Sequence, residues 1–291
     1  MMKQLQQITR RNLRIASLGI DMQLRLLAWR DEAPIVVYQM GKVGSSTVVA
    51  SLKASMPQKP IYHIHSLTRE GIEHGKQMYA RIFNNERRTD ARRMKHLLTA
   101  EQLYKRAAGG RAAPKWKVIT LVRDPVARNI SDFFQVIGYW FTDFEERSRS
   151  GELGMDDVIA TFMREYHHEE PLSWFDIELK QSLDIDVFAT RFPKQQGYEI
   201  YRRGPTELLV LKLEHIARCA QEAFRAFIGV NNIQIIDANI SSDKEYHMVY
   251  RQFQEDVRLP GDYLDKMYES KYARHFYTQD EIQSFKAKWR R

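Results

Sequence analysis

Short apolar runs alternate with longer amphipathic stretches along most of the chain. The apolar runs predict strands at residues 35–38, 61–65 and 116–122, followed by a strand or hairpin group at 185–188, 197–203 and 208–213. The amphipathic stretches predict helices at 45–55, 68–84, 88–108, 155–166 and 215–228, another that starts at Pro125, and a mostly helical segment after residue 245. A loop is predicted around residues 174–176. Strands that alternate with helices indicate an α/β fold with a central parallel sheet.

The first 33 residues have a different pattern from the rest of the chain. Apolar residues alternate between Leu18 and Leu26 as they would in a strand, whereas the other positions favour an amphipathic helix. We predict that residues 1–33 form a helical segment that docks on one α/β domain of residues 34–291. That domain carries helical insertions and a helical C-terminal segment, and no linker, repeat or low-complexity tract divides it in the sequence.

The composition narrows the class of protein. A chain of 291 residues that is 43% hydrophobic and 11% aromatic is not disordered, collagen-like or a coiled coil. Its one cysteine, Cys219, allows neither an intrachain disulfide nor a cysteine-based zinc site. The apolar runs are too short to span a bilayer, and the arginines and Asp21 in the first 30 residues do not fit a secretory signal. These features predict a protein of the cytoplasm.

The formal net charge of +8 is concentrated in two segments. Residues 1–30 contain six Lys or Arg and one acid, and residues 86–117 contain ten Lys or Arg and three acids. Such segments attract nucleic acid, anionic lipid or a polyanionic substrate, although charge-rich helices are more often only solvated faces. For the N-terminal segment, we retain peripheral contact with a membrane surface as an alternative.

The segment Gln39-Met40-Gly41-Lys42-Val43-Gly44-Ser45-Ser46-Thr47 joins a predicted strand to a predicted helix. A glycine-containing turn at the start of a helix directs backbone N–H groups and the helix dipole toward one point, which favours an anion there. The side chain of Lys42 adds a full positive charge. The three hydroxyl residues are expected to cap the helix and to donate to phosphate oxygens.

This loop differs from the nucleoside-triphosphate loop G-x-x-x-x-G-K-[ST]. Lys42 precedes Gly44 instead of following the last glycine, and no apolar strand ends in a magnesium-binding Asp. The order therefore suits a phosphosulfate, whose transfer needs no bridging metal, better than a nucleoside triphosphate. A helix that is capped after a strand, with an incidental lysine, is the simpler alternative.

A second motif follows the strand at 116–122 and reads Arg123-Asp124-Pro125-Val126-Ala127-Arg128-Asn129-Ile130-Ser131. Asp124 is a suitable helix N-cap, and Pro125 suits the first helical turn. Arg123 falls at the carboxyl end of a strand, where open α/β sheets bind ligands. With Ser131 about two turns later, it makes a directed phosphate clamp. A local ion pair between Arg123 and Asp124 is the alternative.

Together the two motifs resemble the signatures of sulfotransferases that use 3′-phosphoadenosine-5′-phosphosulfate (PAPS) as donor, and especially the bacterial carbohydrate and capsular-polysaccharide enzymes. The resemblance covers about residues 34–135 and implies a P-loop-like three-layer fold. It implies that the loop from Gly41 to Thr47 binds the 5′-phosphosulfate, and that Arg123 and Ser131 bind the 3′-phosphate. The C-terminal Arg-Lys-Gly segment of the cytosolic enzymes is absent. Lys271 is expected to close over the nucleotide in its place, although an exposed cation on a core helix is an equal alternative.

Sulfuryl transfer to a hydroxyl needs stabilisation of the leaving phosphate and a general base. Lys42 is our candidate for the first role. His65, and His63 after it, are our candidates for the base, because alternate residues of a strand face the same side and histidine titrates near neutrality. Buried structural histidines are the alternative.

Candidate contacts to a carbohydrate acceptor come from the predicted loop around residue 174. Trp174 pairs an aromatic surface with the carboxylates of Asp176 and Glu178, either of which is also a rival base. Core packing by the tryptophan is the simpler alternative.

We expect no metal site, because the adjacent side chains of residues 167–170 diverge. A glycan acceptor is the expected partner, and we expect no nucleic acid. A nucleotide-dependent kinase and a basic binding module without catalysis are the alternatives. The sequence leaves the oligomeric state open.

Overall fold

The computed structural model describes residues 13–83, 94–109, 114–236 and 246–290. At its centre lies a five-stranded sheet in the order β2-β1-β3-β5-β4. The strands are β1 Ile35–Tyr38, β2 Ile61–Ile64, β3 Lys117–Val122, β4 Tyr198–Arg203 and β5 Thr206–Lys212. Neighbouring strands run parallel except for β4, which is antiparallel to β5.

The prediction of a parallel sheet is therefore wrong at one edge. Only Gly204 and Pro205 connect β4 to β5, and Gly204 has a positive φ of 54°. A two-residue connection can only reverse the chain, because a parallel partner needs a crossover of a dozen residues or more. The result is a mixed α/β sheet.

Helices cover the sheet. Those at 137–140, 144–150 and 170–174 were not predicted, and the others overlap stretches that the sequence pattern predicts as helical. The helices are α1 Leu13–Trp29, α2 Ser45–Ser55, α3 Arg69–Phe83, α4 Lys95–Gly109, α5 Pro125–Gln135, α6 Ile137–Trp140, α7 Phe144–Ser150, α8 Met155–Glu165, α9 Glu170–Trp174, α10 Ile216–Ile228, α11 His247–Asp256, α12 Gly261–Tyr268, α13 Lys271–Phe276 and α14 Gln279–Arg290. The central strands β1 and β3 are almost entirely buried because helices pack on both faces of the sheet. No helix in the described ranges is long and apolar enough to cross a membrane.

Two local predictions are wrong. The expected loop around residue 174 is helical, since α9 continues through a π-helical turn, Phe175–Lys180, into Gln181–Leu183. The expected strand at 185–188 is replaced by a 3₁₀ turn, Val187–Ala189, in which the side chain of Asp186 accepts the N–H of Phe188. Residues 1–12, 84–93 and 110–113, and with them much of the basic segment at 86–117, lie outside the described residues.

The topology places both sequence motifs at one edge of the sheet. The loop that ends in α2 leaves β1, and the motif that begins α5 leaves β3, which pairs with β1 in parallel. The carboxyl end of β2, which carries His63 and His65, lies on the other side of β1. Side chains from three neighbouring strand ends therefore share this edge, where open α/β sheets bind ligands.

Candidate functional site

The turn between β1 and α2 contains two residues with left-handed backbone conformation. Lys42 has a φ of 69° and Gly44 a φ of 89°. A Cβ on Gly44 would lie 2.5 Å from Cδ1 of Leu213, so this position requires glycine for both conformation and space. A lysine in the left-handed region costs of order 1 kcal/mol, a strain that is typical of ligand-binding turns.

The helix that follows this turn begins without a side-chain cap. Its N-cap residue is Gly44, so the expected capping by hydroxyls of Ser45 to Thr47 is wrong. The N–H groups of the first turn of an α-helix have no partner within the helix, and the helix dipole makes their surroundings positive. The start of α2 therefore offers uncapped N–H groups to an anion.

Two arginines of the second motif hold the turn from behind. Nη1 of Arg123 donates to the carbonyl oxygen of Lys42 over 2.8 Å, and Nε of Arg128 donates to the carbonyl oxygen of Gly41 over 3.0 Å. In a trans peptide the N–H of the next residue points opposite to the carbonyl. The N–H groups of Lys42 and Val43 consequently point away from the arginines.

Arg128 is one of the largest fully buried side chains in the described part of the chain. Besides Gly41 it contacts Tyr166 over 2.9 Å and forms ion pairs with Glu170 and Asp132. A buried guanidinium needs such partners because an unpaired charge in the interior is very costly. Its contacts join the turn to α5, α8 and α9.

Asp124 anchors the second motif in the core. Its carboxylate accepts the N–H of Val126, which confirms the predicted N-cap, and also accepts the hydroxyl of Tyr268 over 2.7 Å and the indole N–H of Trp289 over 3.1 Å. Its backbone N–H donates to Glu214 over 2.6 Å, and burial raises the pKa of Glu214 to about 7. The helices of the C-terminal segment therefore fix the position of Arg123.

The other residues expected at the nucleotide lie farther out. Ser131 is partly buried on α5, and its hydroxyl has no hydrogen bond to another described side chain. Lys271, at the start of α13, pairs with Asp176 at 3.2 Å and lies 3.9 Å from the ring centre of Phe188. Arg123 is thus the member of this set whose side chain contacts the turn.

A cleft of about 500 Å³ opens in front of the turn. We call it the loop cleft, and it is lined by Gly41, Lys42, Gly44, Ser45, Ser46, His63, His65, Gly75, Met78, Tyr79, His96, Asp132, Gln135 and Val136. Nζ of Lys42 donates to Oε1 of Gln135 over 3.1 Å. The turn, the lysine and the histidines of β2 therefore line one cavity.

His63 and His65 pack edge to face, with ring centres 4.8 Å apart, and His96 packs against His65 at 5.5 Å. Burial lowers the pKa of His65 and lowers that of His63 to about 3, so both rings are neutral near pH 7. Nδ1 of His65 lies 3.1 Å from the carbonyl oxygen of Gln39. A carbonyl can only accept, so Nδ1 carries the proton and Nε2 keeps its lone pair.

A second cleft, of about 530 Å³, adjoins the loop cleft. Its lining consists of Met40, Gly41, His65, Ser66, Thr68, Glu70, Gly71, His74, Glu170, Ser173, Trp174, Ile177, Glu178 and Gln181. Gly41 and His65 line both clefts. His65 therefore stands at the boundary between the space in front of the turn and a second space large enough for a sugar ring.

The residues expected to contact a carbohydrate do not lie in an exposed loop. Trp174 is buried, with its N–H 3.4 Å from the carbonyl oxygen of His65 and its ring against Tyr38. Asp176 is partly exposed and paired with Lys271. These residues lie on α9 and on the π-helical turn that follows it, so the expectation of an open aromatic loop is wrong.

Glu178 is a structural carboxylate in this fold. It is buried and accepts four hydrogen bonds of 2.6 to 3.1 Å, from the hydroxyls of Tyr38 and Thr68 and from the N–H groups of Leu67 and Thr68. Oε2 accepts three of these bonds and Oε1 one, so Oε1 keeps an acceptor position. The four bonds join the π-helical turn after α9 to the end of β1 and to the residues that follow β2.

The residues at 167–170 have separate partners. Both ring nitrogens of His168 are bonded, to the carbonyl of Phe162 and the hydroxyl of Tyr263, and Glu169 pairs with Lys266. Within the described ranges no three His, Cys, Asp or Glu side chains are grouped as metal ligands.

Comparison with known proteins gives one match. Residues 156–278 match the family model NKWYS, described as "Putative capsular polysaccharide synthesis protein". This match supports a capsular-polysaccharide-related family. The matched region runs from α8 to just past α13 and so contains the second-cleft residues of α9, but neither of the two sequence motifs at 39–47 and 123–131. No curated protein and no solved structure matches the chain.

Several residues of the site were not predicted from the sequence. Arg128 belongs to the second motif, but an arginine on a helix usually faces solvent, and its burial depends on partners far away in the chain. One signal was present, because Arg128 and Asp132 are spaced four apart on the helix, as in an ion pair between successive turns. His96 and Gln135 gave no comparable signal.

Proposed function

We propose that this protein is a sulfotransferase that moves a sulfuryl group from PAPS to a hydroxyl of a carbohydrate acceptor. The observation that carries the proposal is the hydrogen bond from Arg123 to the backbone of Lys42, because it brings the two motifs that the resemblance assigns to opposite ends of one nucleotide into contact. Capsular-polysaccharide synthesis, the description of the matched family, is a process with carbohydrate substrates.

The residues of the loop cleft fit an anionic donor. Lys42, the uncapped N–H groups of α2 and Arg123 behind the turn supply positive charge. Asp132, an acid in the lining, shares Arg128 with Glu170 and accepts the hydroxyl of Tyr166 over 2.8 Å. Lys42 and the helix start face the cleft, so the cleft favours a phosphosulfate.

Each residue then has a role that follows from its position. PAPS supplies the sulfuryl group: the acceptor oxygen forms a bond to sulfur as the bond between sulfur and the bridging phosphate oxygen breaks. Lys42 stabilises the negative charge on that leaving oxygen. Nε2 of His65 takes the proton of the acceptor hydroxyl, since the other nitrogen is held as a donor to Gln39.

We place the acceptor in the second cleft. Its lining carries Glu70, Glu170 and Glu178, of which Glu170 is paired with Arg128, and includes no Lys or Arg. A uronic acid or a sulfated sugar would meet negative charge there, whereas a neutral or amino sugar would not. Neutral glycans are therefore the expected acceptors in a screen with sulfur-35-labelled PAPS.

Calorimetry with adenosine 3′,5′-bisphosphate, the product of the donor, tests the nucleotide site. Arg123→Ala is expected to weaken binding at least about 30-fold, the loss typical of a truncated charged hydrogen-bonded pair. Lys42→Ala should abolish transfer of labelled sulfate. Arg149→Ala removes an exposed arginine on α7 and should leave both quantities unchanged.

Two results would overturn the proposal. One is the absence of saturable binding of the bisphosphate to the folded wild-type protein. The other is turnover with ATP and Mg²⁺ but none with PAPS, which would indicate the kinase alternative instead.

A further inference from the structure

Helix α1 has apolar side chains on two opposite faces. Ile20, Leu24 and Leu27 are buried against the rest of the protein, and α1 also bonds to α4 through Asp21 and Arg106. Leu18, Met22, Leu26 and Trp29 are 62%, 69%, 45% and 82% exposed. Steps of four, four and three residues place these side chains on one stripe, about half a turn from the buried face.

The exposure of this stripe is unusual for the molecule. The described residues include eight exposed large hydrophobic side chains, and five of them are in α1, where Ile15 completes the group. The remaining three are scattered singly on other elements, which is normal for a protein surface. A row of adjacent apolar side chains marks an interaction surface instead.

The described charged side chains on α1, directly after it and paired with them have a positive excess. Arg14, Arg25, Arg30, Arg106 and Lys115 stand against Asp21, Asp31 and Glu32. Asp21 is paired with Arg25 at 2.7 Å and Arg106 at 2.6 Å, Asp31 is paired with Lys115 at 2.7 Å, and hydrogen bonding to Arg25 lowers the pKa of Asp21. Arg25 stays largely exposed beside the stripe, and Arg30 follows Trp29 directly. The partner of this surface must therefore accept apolar side chains and carry negative charge.

We propose that α1 binds the surface of an anionic lipid bilayer, with its axis in the plane of the interface and Leu18, Met22, Leu26 and Trp29 inserted among the acyl chains. Helices that bind in this way combine an apolar stripe with flanking Lys or Arg, and tryptophan is favoured at the boundary between headgroups and acyl chains. A second copy of the chain fits less well, because the same positive charge would face itself across a symmetric contact. This inference is independent of the catalytic proposal.

Co-sedimentation of the full chain with vesicles tests the inference. Vesicles of phosphatidylcholine with 30% phosphatidylglycerol are expected to bind the protein at least tenfold more tightly than pure phosphatidylcholine, and binding should weaken at 0.5 M salt. Binding should also shift the emission of Trp29 to the blue, a change that Trp29→Phe removes. The variant Leu18→Ser/Met22→Ser/Leu26→Ser should bind the anionic vesicles at least tenfold more weakly.

Met248→Ser is the matched control, since Met248 is 81% exposed but lies on α11. It should bind like the wild type. Failure of the wild type to sediment with anionic vesicles, or equal binding by the triple variant, would overturn the inference. So would a wild-type dimer in analytical ultracentrifugation that the triple variant abolishes without any vesicle binding, because the stripe would then be covered by a second copy.

Discussion

At the scale of single residues, hydrogen bonding separates side chains that hold the fold from those that can act on a ligand. Oε2 of Glu178 accepts three hydrogen bonds from the protein and Oε1 accepts one. His65 uses only Nδ1 and lies between two clefts. The difference makes the histidine the stronger candidate for chemistry.

The pH dependence of transfer tests His65 as the base. Burial lowers the pKa of His65 from its ordinary value of 6.5, and the base acts in its neutral form. The acid limb of the rate should therefore be centred below pH 6.5. His65→Ala should abolish transfer. It should leave affinity for the bisphosphate within about threefold of the wild type, because the neutral His65 ring makes no charge contact with the bisphosphate. An acid limb centred above pH 6.5 would contradict this assignment.

Removal of the Glu178 carboxylate tests its structural role. Glu178→Ala leaves four buried donors without an acceptor and should lower the free energy of unfolding by about 3 kcal/mol or more. Asp176→Ala, two residues away and partly exposed, should change it by less than about 1 kcal/mol. Denaturant unfolding of the pair measures both. Equal stability of the two variants would show that Glu178 is free for an acceptor after all.

At the scale of elements, the site depends on how one turn is supported. The left-handed residues Lys42 and Gly44 set its shape. Arg123, two residues before α5, and Arg128 within α5 donate to its carbonyl oxygens. The sequence predicted the turn, the second motif and their shared sheet edge. It did not predict that the second motif braces the first, because Arg128 and Gly41 are 87 positions apart and their contact exists only after packing.

Gly44→Ala tests this turn. A methyl group there meets Leu213 at 2.5 Å and forces alanine into a left-handed conformation, so a loss of about 1–3 kcal/mol in stability and a clear loss of bisphosphate affinity are expected. Gly19→Ala has open space in an exposed helix and should stabilise the protein by about 0.5–1 kcal/mol. Thermal unfolding and calorimetry on both variants give the comparison. Unchanged affinity in Gly44→Ala would separate the turn from the nucleotide.

At the scale of the whole molecule, helices of the C-terminal segment hold the second motif in position. Tyr268, Tyr272 and Trp289 all bond to the residues Arg123 and Asp124. The last helix of the chain therefore positions a motif that lies more than 150 residues earlier. The region matched by the family model includes both Tyr268 and Tyr272, so residues of the matched region contact the second motif in the folded molecule.

Substitution of Trp289 tests this link. Trp289→Ala removes a fully buried ring and should cost about 3–5 kcal/mol, while Trp289→Phe removes mainly the bond to Asp124 and should cost about 1.5–3 kcal/mol. Both variants should weaken bisphosphate binding, because Asp124 sets the position of Arg123. Gln283→Ala, exposed on the same helix, serves as the control and should change neither quantity. Normal affinity in a folded Trp289→Phe variant would show that the C-terminal helix does not position the motif.

The sequence by itself determined the features that depend on neighbouring residues. Apolar runs located the central strands, and the order Asp124-Pro125 located the start of α5, because strand burial and helix capping are local preferences. Tertiary packing alone decided the π-helical turn after α9 and the partners of Glu178 and Arg128. The physical reason is that a buried charge takes whichever donors or acceptors the fold brings to it, and those groups lie far away along the chain.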